Sequence, residues 1–584
     1  MRKRLHKLKT QAARAGFTLV EMLVATALVL LIMLLFASIY GAAVSTITEQ
    51  RGLANVDSKA RTVDSILRRD LEKMTFRQMT TAGTRGLVPL APGDDVDPRQ
   101  MGFFYISEND PNDPTDDTIH FTIYVGSSHR NPDNTPLTGK ATPLAGSANE
   151  PDRDDGVAGN FSGMSPYAEV VYFLRGGNLY RRELLIRDPL DEPLNTSEYP
   201  AQPSATNPQR TEYWGNDDPS YPTLATTNYT TGSQLFYNDF DYAATRVADG
   251  LGGNYLRFLG AESLNNAAGP TVYPLAAPRY RYGFYPSVAQ VNSGGLIAQP
   301  LEYDSSGNFI GRFVHAETSD NEFRYPGQYI DLTDSAANPL TLNSDYLISQ
   351  IVDLPATTPP APPPTPGPRQ GADLLLQEVT QFDIEVWDTG YVEIDRDNAD
   401  GDNNDDTGIE DDNNNGVRDQ GLWLNLGHNE SGSNPTLGHY HYGSRRLPGY
   451  GPQTAAENRV FDTWHPDIGT PPPFRPYLYD PTGATPWAQG AATSVGRLVF
   501  PDQATGNFAY VYRCVQGGIA GSKQPEWPRQ HGAIVRENAN TAQEVVWQCY
   551  DNRVGLEAIR ITIRYRDIRS KLERQLTLYH SFVE

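Results

Sequence analysis

From Met22 to Val44 the chain runs for 23 residues without a charged side chain. A helix of that length crosses a hydrocarbon layer roughly 30 Å thick. Six basic residues precede it, Arg2, Lys3, Arg4, Lys7, Lys9 and Arg14, and the chain beyond it is acidic. The positive-inside rule therefore puts residues 1–16 in the cytoplasm and the body outside. A secretory signal peptide places small residues after its apolar core, whereas here Gly16 precedes the core and the apolar run is too long. An ordinary uncleaved anchor is the plainer reading. Glu21 argues against it, because a carboxylate near an apolar span costs about 2.5 to 3.5 kcal/mol at the centre and less toward the interface, and so implies a partner.

The run Gly16-Phe17-Thr18-Leu19-Val20-Glu21-Met22-Leu23-Val24-Ala25 resembles the class III signal of type IV prepilins and type II secretion pseudopilins. The resemblance implies that a prepilin peptidase cuts between Gly16 and Phe17 and methylates the new amino terminus at Phe17. It also implies that Glu21, at the fifth mature position, pairs with a neighbouring subunit's amino terminus during assembly. Two opposite charges in a layer of low dielectric stabilise each other only when brought together.

Beyond the span, Leu53, Val56, Ala60, Val63, Leu67, Leu71 and Met74 recur at spacings of three and four, with charged residues between them. No proline interrupts residues 17–79. The pattern predicts one helix over that stretch, about 90 Å long at 1.5 Å per residue, its first half in membrane or filament core and its second packed on the body. A free coiled coil is the competing reading.

The body begins with strand signals. Residues 102–106 and 118–125 are rich in aromatic and β-branched residues. Residues 170–174 and 178–183 flank Gly176-Gly177 and read as a hairpin. Residues 556–567 and 574–582 form a second pair, in which Ile559, Ile561 and Ile563 alternate with Arg560, Thr562 and Arg564, one face buried and the other wet. The segments VVYFLRGGNLYRRE, LLLQEVTQFDIEVWD and VGLEAIRITIRYRD resemble J-type minor pseudopilins and the related W-type minor pilins. That resemblance implies an α+β fold, a long N-terminal helix on an antiparallel pilin-like head. It covers about a third of the chain. Glu21 separates the chain from K-type tip subunits, which lack that acid. The length of 584 residues departs from the family, so large β-rich insertions sit between the shared strands.

Composition bounds the rest. The formal charge is −23, and −29 without the six basic residues of 1–16; such a body repels nucleic acid. Gly 51 and Pro 45 describe a loop-rich body. Eight prolines between Pro355 and Pro368 predict an extended spacer over 354–370, dividing the body into 80–353 and 371–584.

Two Asp-rich runs follow. Asp395, Asp397, Asp400 and Asp402 precede a loop in which Asp411, Asn413, Asn415, Gly416 and Asp419 occupy positions 1, 3, 5, 6 and 9 of an EF-hand-like turn, with Val417 offering its carbonyl. Position 12 is Leu422, so the bidentate acid is missing. The reading is a calcium-stabilised loop, against an acidic solvated linker. Cys514 and Cys549, the two cysteines of the chain, bound a small β module over about 508–551. In an oxidising periplasm they are expected to form a disulfide, stabilising by about 4 kcal/mol on the chain-entropy model. Trp527 and Trp547 read as core of that module rather than as a sugar platform. His428, His439 and His441 lie in a Gly-rich loop that reads as solvated rather than metal-binding. No serine nucleophile elbow, phosphate-binding loop or zinc-helix motif is present, so the chain reads as a non-enzyme. The resemblance implies as partners other minor and major pilins or pseudopilins, prepilin peptidase, an inner-membrane assembly platform and membrane lipid. The implied place is the inner membrane with the body in the periplasm, then a filament tip. A membrane-anchored adhesin or carbohydrate-binding protein that borrows the pilin export signal is the alternative.

Overall fold

The computed structural model describes residues 18–77, 86–90, 100–108, 112–127, 135–142, 151–157, 159–187, 212–213, 237, 240–248, 254–265, 274–277, 280–283, 373–392, 420–426, 460–463, 486–501, 509–553, 555–567 and 571–583. Residues 1–59 with 567–572 form one compact unit and residues 60–566 with 573–584 a second.

Helix α1 is Leu19–Glu72. The strands that matter below are β1 (Phe104–Ser107), β2 (Thr118–Tyr124), β3 (Tyr167–Arg175), β4 (Asn178–Ile186), β5 (Leu374–Leu376), β6 (Val379–Val392) and β7 (Gln420–Asn425). They continue as β8 (Val460–Asp462), β9 (Leu498–Val499), β10 (Tyr510–Gln516), β11 (Ile534–Glu537), β12 (Val545–Asp551), β13 (Ala558–Arg566) and β14 (Glu573–Ser581). An apolar N-terminal helix and a largely antiparallel body make the class α+β.

The apolar stripe of the second unit's helical residues is buried, with Ala60, Val63, Leu67 and Leu71 at 4% exposure or less. The side chains of Leu53 and Val56 lie outside the described residues. The helix ends at Glu72 rather than continuing to residue 79. Its successors leave the helical ladder to pair with β2: Thr75 N–H donates to Thr122 O at 2.9 Å, Tyr124 N–H donates to Lys73 O at 2.8 Å, and Met74 bridges Ile123. Asp70, 1% exposed, fixes the helix to the sheet, its Oδ2 accepting from Tyr172 O–H and Arg181 Nε, each at 2.6 Å.

The first sheet has the order β5-β4-β3-β2-β1-β8, every neighbouring pair antiparallel. Its central strands are buried on both faces, with His120, Thr122 and Glu169 buried among their apolar residues. The β3–β4 turn is Gly176-Gly177, with φ of 55° and 73°. Both values are left-handed, as a two-residue hairpin that matches strand twist requires. Strand β5, which follows the proline-rich segment, pairs with β4, which precedes it (Leu374 opposite Tyr180). Strand β8 closes the other edge against β1. A buried Arg281–Asp462 ion pair, at 2.9 and 3.0 Å, adds a further tie between the two parts. The parts on either side of residues 354–370, which lie outside the described set, thus build one sheet.

The second sheet has the order β7-β6-β13-β14. The hairpin expected over 556–582 is in register from Ala558 opposite Ser581 to Arg566 opposite Glu573. Ile559, Ile561 and Ile563, at 1% exposure or less, face Val386, Ile384 and Phe382 across the ladder. Phe582, just past β14, packs edge-on against Phe104 of the first sheet at 5.0 Å.

A third sheet, β9-β10-β12-β11, forms the cysteine-bearing module. It begins earlier than residue 508, since Leu498 and Val499 pair with β10 and Trp487 packs on its core. Arg553 ties the module to the body, donating to Pro89 O at 2.7 Å and to both oxygens of Asp551.

Candidate functional site

Residues Leu19–Ile47 form the one described helical stretch apolar enough to cross a membrane, 29 residues of mean hydropathy 2.8, none of it buried. Its polar side chains satisfy themselves on the helix. Thr26 donates to Met22 O, Ser38 to Leu35 O, and Ser45 and Thr46 to Ala42 O, all between 2.8 and 3.0 Å. Such back-bonding removes the penalty of bare hydroxyls in lipid.

Glu21 is the one charged residue of that stretch. It belongs to a reciprocal cap. Thr18 Oγ1 accepts from Glu21 N–H at 3.2 Å, and the Glu21 carboxylate accepts from Thr18 N–H and O–H at 3.0 Å. Thr18-Leu19-Val20-Glu21 is a capping box, a spacing visible in the sequence. The acid therefore has a local structural duty besides the intersubunit one expected of it. Gly16 and Phe17 lie outside the described residues.

The calcium-type residues Asp395, Asp397, Asp400, Asp402, Asp411, Asn413, Asn415, Val417 and Asp419 also lie outside them, as do His428, His439 and His441.

Another acidic group lies inside. Glu108, Asp117 and Asp383 are all buried, and one carboxylate oxygen from each lies within 4.8 Å of the others. Glu108 directly follows β1 and Asp117 directly precedes β2, so the connection between these strands supplies two members; Asp383 comes from β6. The sheet edge explains the meeting. Strand β7 pairs with β6 only from Glu385 onward, and the β1–β2 connection covers the edge before it. There Phe382 N–H donates to Pro114 O at 2.8 Å and Ile384 N–H donates to Asp117 Oδ2. Gln381 Nε2 donates to Asp383 Oδ2 at 3.0 Å. Both oxygens of Glu108 and the Oδ1 of Asp117 are buried and receive no hydrogen bond from an N–H or hydroxyl; the carboxyls face one another. Burial, then the facing Asp117 and Asp116, hold the Glu108 carboxyl far above the usual carboxylate range. Burial likewise raises Asp117 and Asp383. Sequence reasoning passed over this group. The acid-dense run Glu108-Asn109-Asp110-Pro111-Asn112-Asp113-Pro114-Thr115-Asp116-Asp117 was visible, but only as a strand boundary.

The expected disulfide is not formed: Cys514 and Cys549 are free and buried. Register explains this. Cys514 lies opposite Trp547 and Cys549 opposite Tyr512, so the cysteines are diagonal neighbours. Diagonal positions stand about 7 to 8 Å apart, beyond the usual disulfide span of about 4.4 to 6.8 Å between Cα atoms. Both sulfurs sit in one apolar core with Val499, Tyr512, Val545 and Trp547. Burial pushes the Cys549 thiol up to about 11 and raises Cys514 as well. Trp547 is 1% exposed and donates to Glu537 at 2.5 Å, while Trp527 packs against the same core. Trp547 is core, and Trp527 is half-buried against it.

No protein-family model, curated protein or solved structure matches the chain.

Proposed function

We propose that the chain is a minor subunit of a pilin-like filament, a J-type pseudopilin or W-type pilin enlarged by insertions, processed between Gly16 and Phe17 and helping to start or cap the filament. The observation that carries this reading is the helix: a bare apolar stretch whose single charge, Glu21, sits in its first turn. In a filament core that carboxylate meets the methylated amino terminus of Phe17 from a neighbouring copy. The hydrogen bonds from Thr18 position it at the helix end without neutralising it. The antiparallel sheets, with the Gly176-Gly177 hairpin and the C-terminal strands, supply the head.

The test is made in cells that carry a prepilin peptidase. Mass spectrometry of the mature chain is expected to find methylated Phe17 at its start, and in-cell crosslinking to join it to other pilins or pseudopilins. Glu21→Gln is expected to leave insertion and processing intact and to remove the chain from the sheared filament fraction. A mature chain that retains residues 1–16 overturns the reading.

A second reading, a membrane-anchored carbohydrate-binding protein, has one observation in its favour. Trp387, Trp423 and Tyr579 form a row on the second sheet, with ring centroids 5.2 and 5.5 Å apart, Arg560 over Trp423 and Tyr579 57% exposed. Glycan binding that is lost in Trp423→Ala, together with an absence of pilin crosslinks, selects it.

A further inference from the structure

We propose that Glu108, Asp117 and Asp383 form a binding site for a hard divalent cation such as calcium, which fastens the β1–β2 connection to strand β6. The proposal goes beyond the filament reading and stands whether or not that reading holds.

Geometry comes first. Three carboxylates from two separate segments converge, with one oxygen of each within 4.8 Å of the others. The donors are carboxylate oxygens throughout, with no nitrogen or sulfur ligand in the group, which selects hard cations.

Orientation is the second observation. Glu108 is 1% exposed, and neither of its oxygens receives a hydrogen bond from an N–H or hydroxyl; its carboxyl meets only those of Asp117 and Asp116. Asp117 is held by one oxygen through the Ile384 N–H, and its other oxygen is buried and receives no hydrogen bond from an N–H or hydroxyl. The Gln381 amide holds one oxygen of Asp383. Each aspartate is thus aimed by a neighbour, as metal ligands are.

Charge is the third. Asp116, 2% exposed, faces Glu108 and adds a fourth carboxyl. Arg560, the cation that acts on Asp383, is bound through two nitrogens to Glu385. Carboxylates removed from water require a counter-charge or a proton. A divalent ion supplies that charge and satisfies the bare oxygens together.

The test uses the full chain in detergent, stripped with EGTA and titrated with CaCl2, wild type beside Glu108→Gln, Asp383→Asn and the control Asp411→Asn. In wild type, CaCl2 is expected to raise the melting temperature by several degrees. Glu108→Gln and Asp383→Asn are each expected to bind one calcium fewer per chain by calorimetry, or to bind it at least about tenfold more weakly. They are also expected to melt in EGTA no lower than wild type, because each removes a buried repulsion. Asp411→Asn leaves this binding step unchanged. Equal calcium stoichiometry and affinity in wild type and both site variants overturns the proposal and leaves a set of proton-sharing carboxyls. So does loss of the ion accompanied in both variants by a lower melting temperature in EGTA, which makes the acids structural.

Discussion

Asp70 shows how much one side chain can hold. Its carboxylate is buried between Tyr172 and Arg181, and replacing it leaves the Tyr172 hydroxyl without an acceptor and one side of the Arg181 guanidinium without its carboxylate, while Glu183 keeps the other side. Asp70→Ala is expected to destabilise the body by about 1 to 3 kcal/mol, read as a lowered urea midpoint. His580 makes the pH dependence specific. Burial, then Arg77 and Arg68, depress its pKa from 6.5 to about 4. The unfolded chain takes up a proton that the folded chain refuses, so this contribution is complete above pH 6.5 and is lost as pH falls toward 4. His580→Gln is expected to flatten that part of a stability profile measured from pH 7 to 4. The thiols give a third measurement. At neutral pH both are protonated and enclosed, so iodoacetamide is expected to label neither Cys514 nor Cys549 until denaturant is added, and then both without reductant. Their separation was not legible in the sequence. Compartment and spacing suggested a bond, but strand register, which only the pairing of β10 with β12 reveals, puts them on a diagonal.

At the scale of elements, the legible parts were those whose causes are local. Gly176-Gly177 carries its hairpin because the two left-handed residues lie between alternating strands, and Gly176→Val is expected to cost about 1 to 2 kcal/mol in a thermal melt. The Ile559-Ile561-Ile563 face was equally open to reading, since a period of two needs no tertiary context. The end of α1 was not. Nothing in Lys73-Met74-Thr75-Phe76 breaks a helix by itself; the end of β2, which runs past its β1 pairing at Phe121, competes for the same backbone groups and wins. The acid cluster was hidden for a related reason. Its members come from a connection and from a strand far away in the chain, and only the point where β7 stops pairing with β6 brings them together.

At the scale of the whole head, the interleaving of the two parts has a measurable result. A protease site inserted within residues 284–372 and then cut is expected to leave two fragments that elute together, because β5 pairs with β4, β8 with β1, and Arg281 with Asp462 across the break. Separation without denaturant counts against the six-stranded order. The same arrangement sets a timetable. Strand β1 ends at Ser107, and its edge partner begins at Val460, so roughly 350 residues must leave the ribosome before that edge is closed. At about 5 to 20 residues per second this takes tens of seconds. Throughout that interval an apolar, half-built sheet waits for its last strand. The apolar segment at 19–47, synthesised first, is ready to engage a membrane long before, and holdase chaperones have their longest opportunity on this chain while it waits.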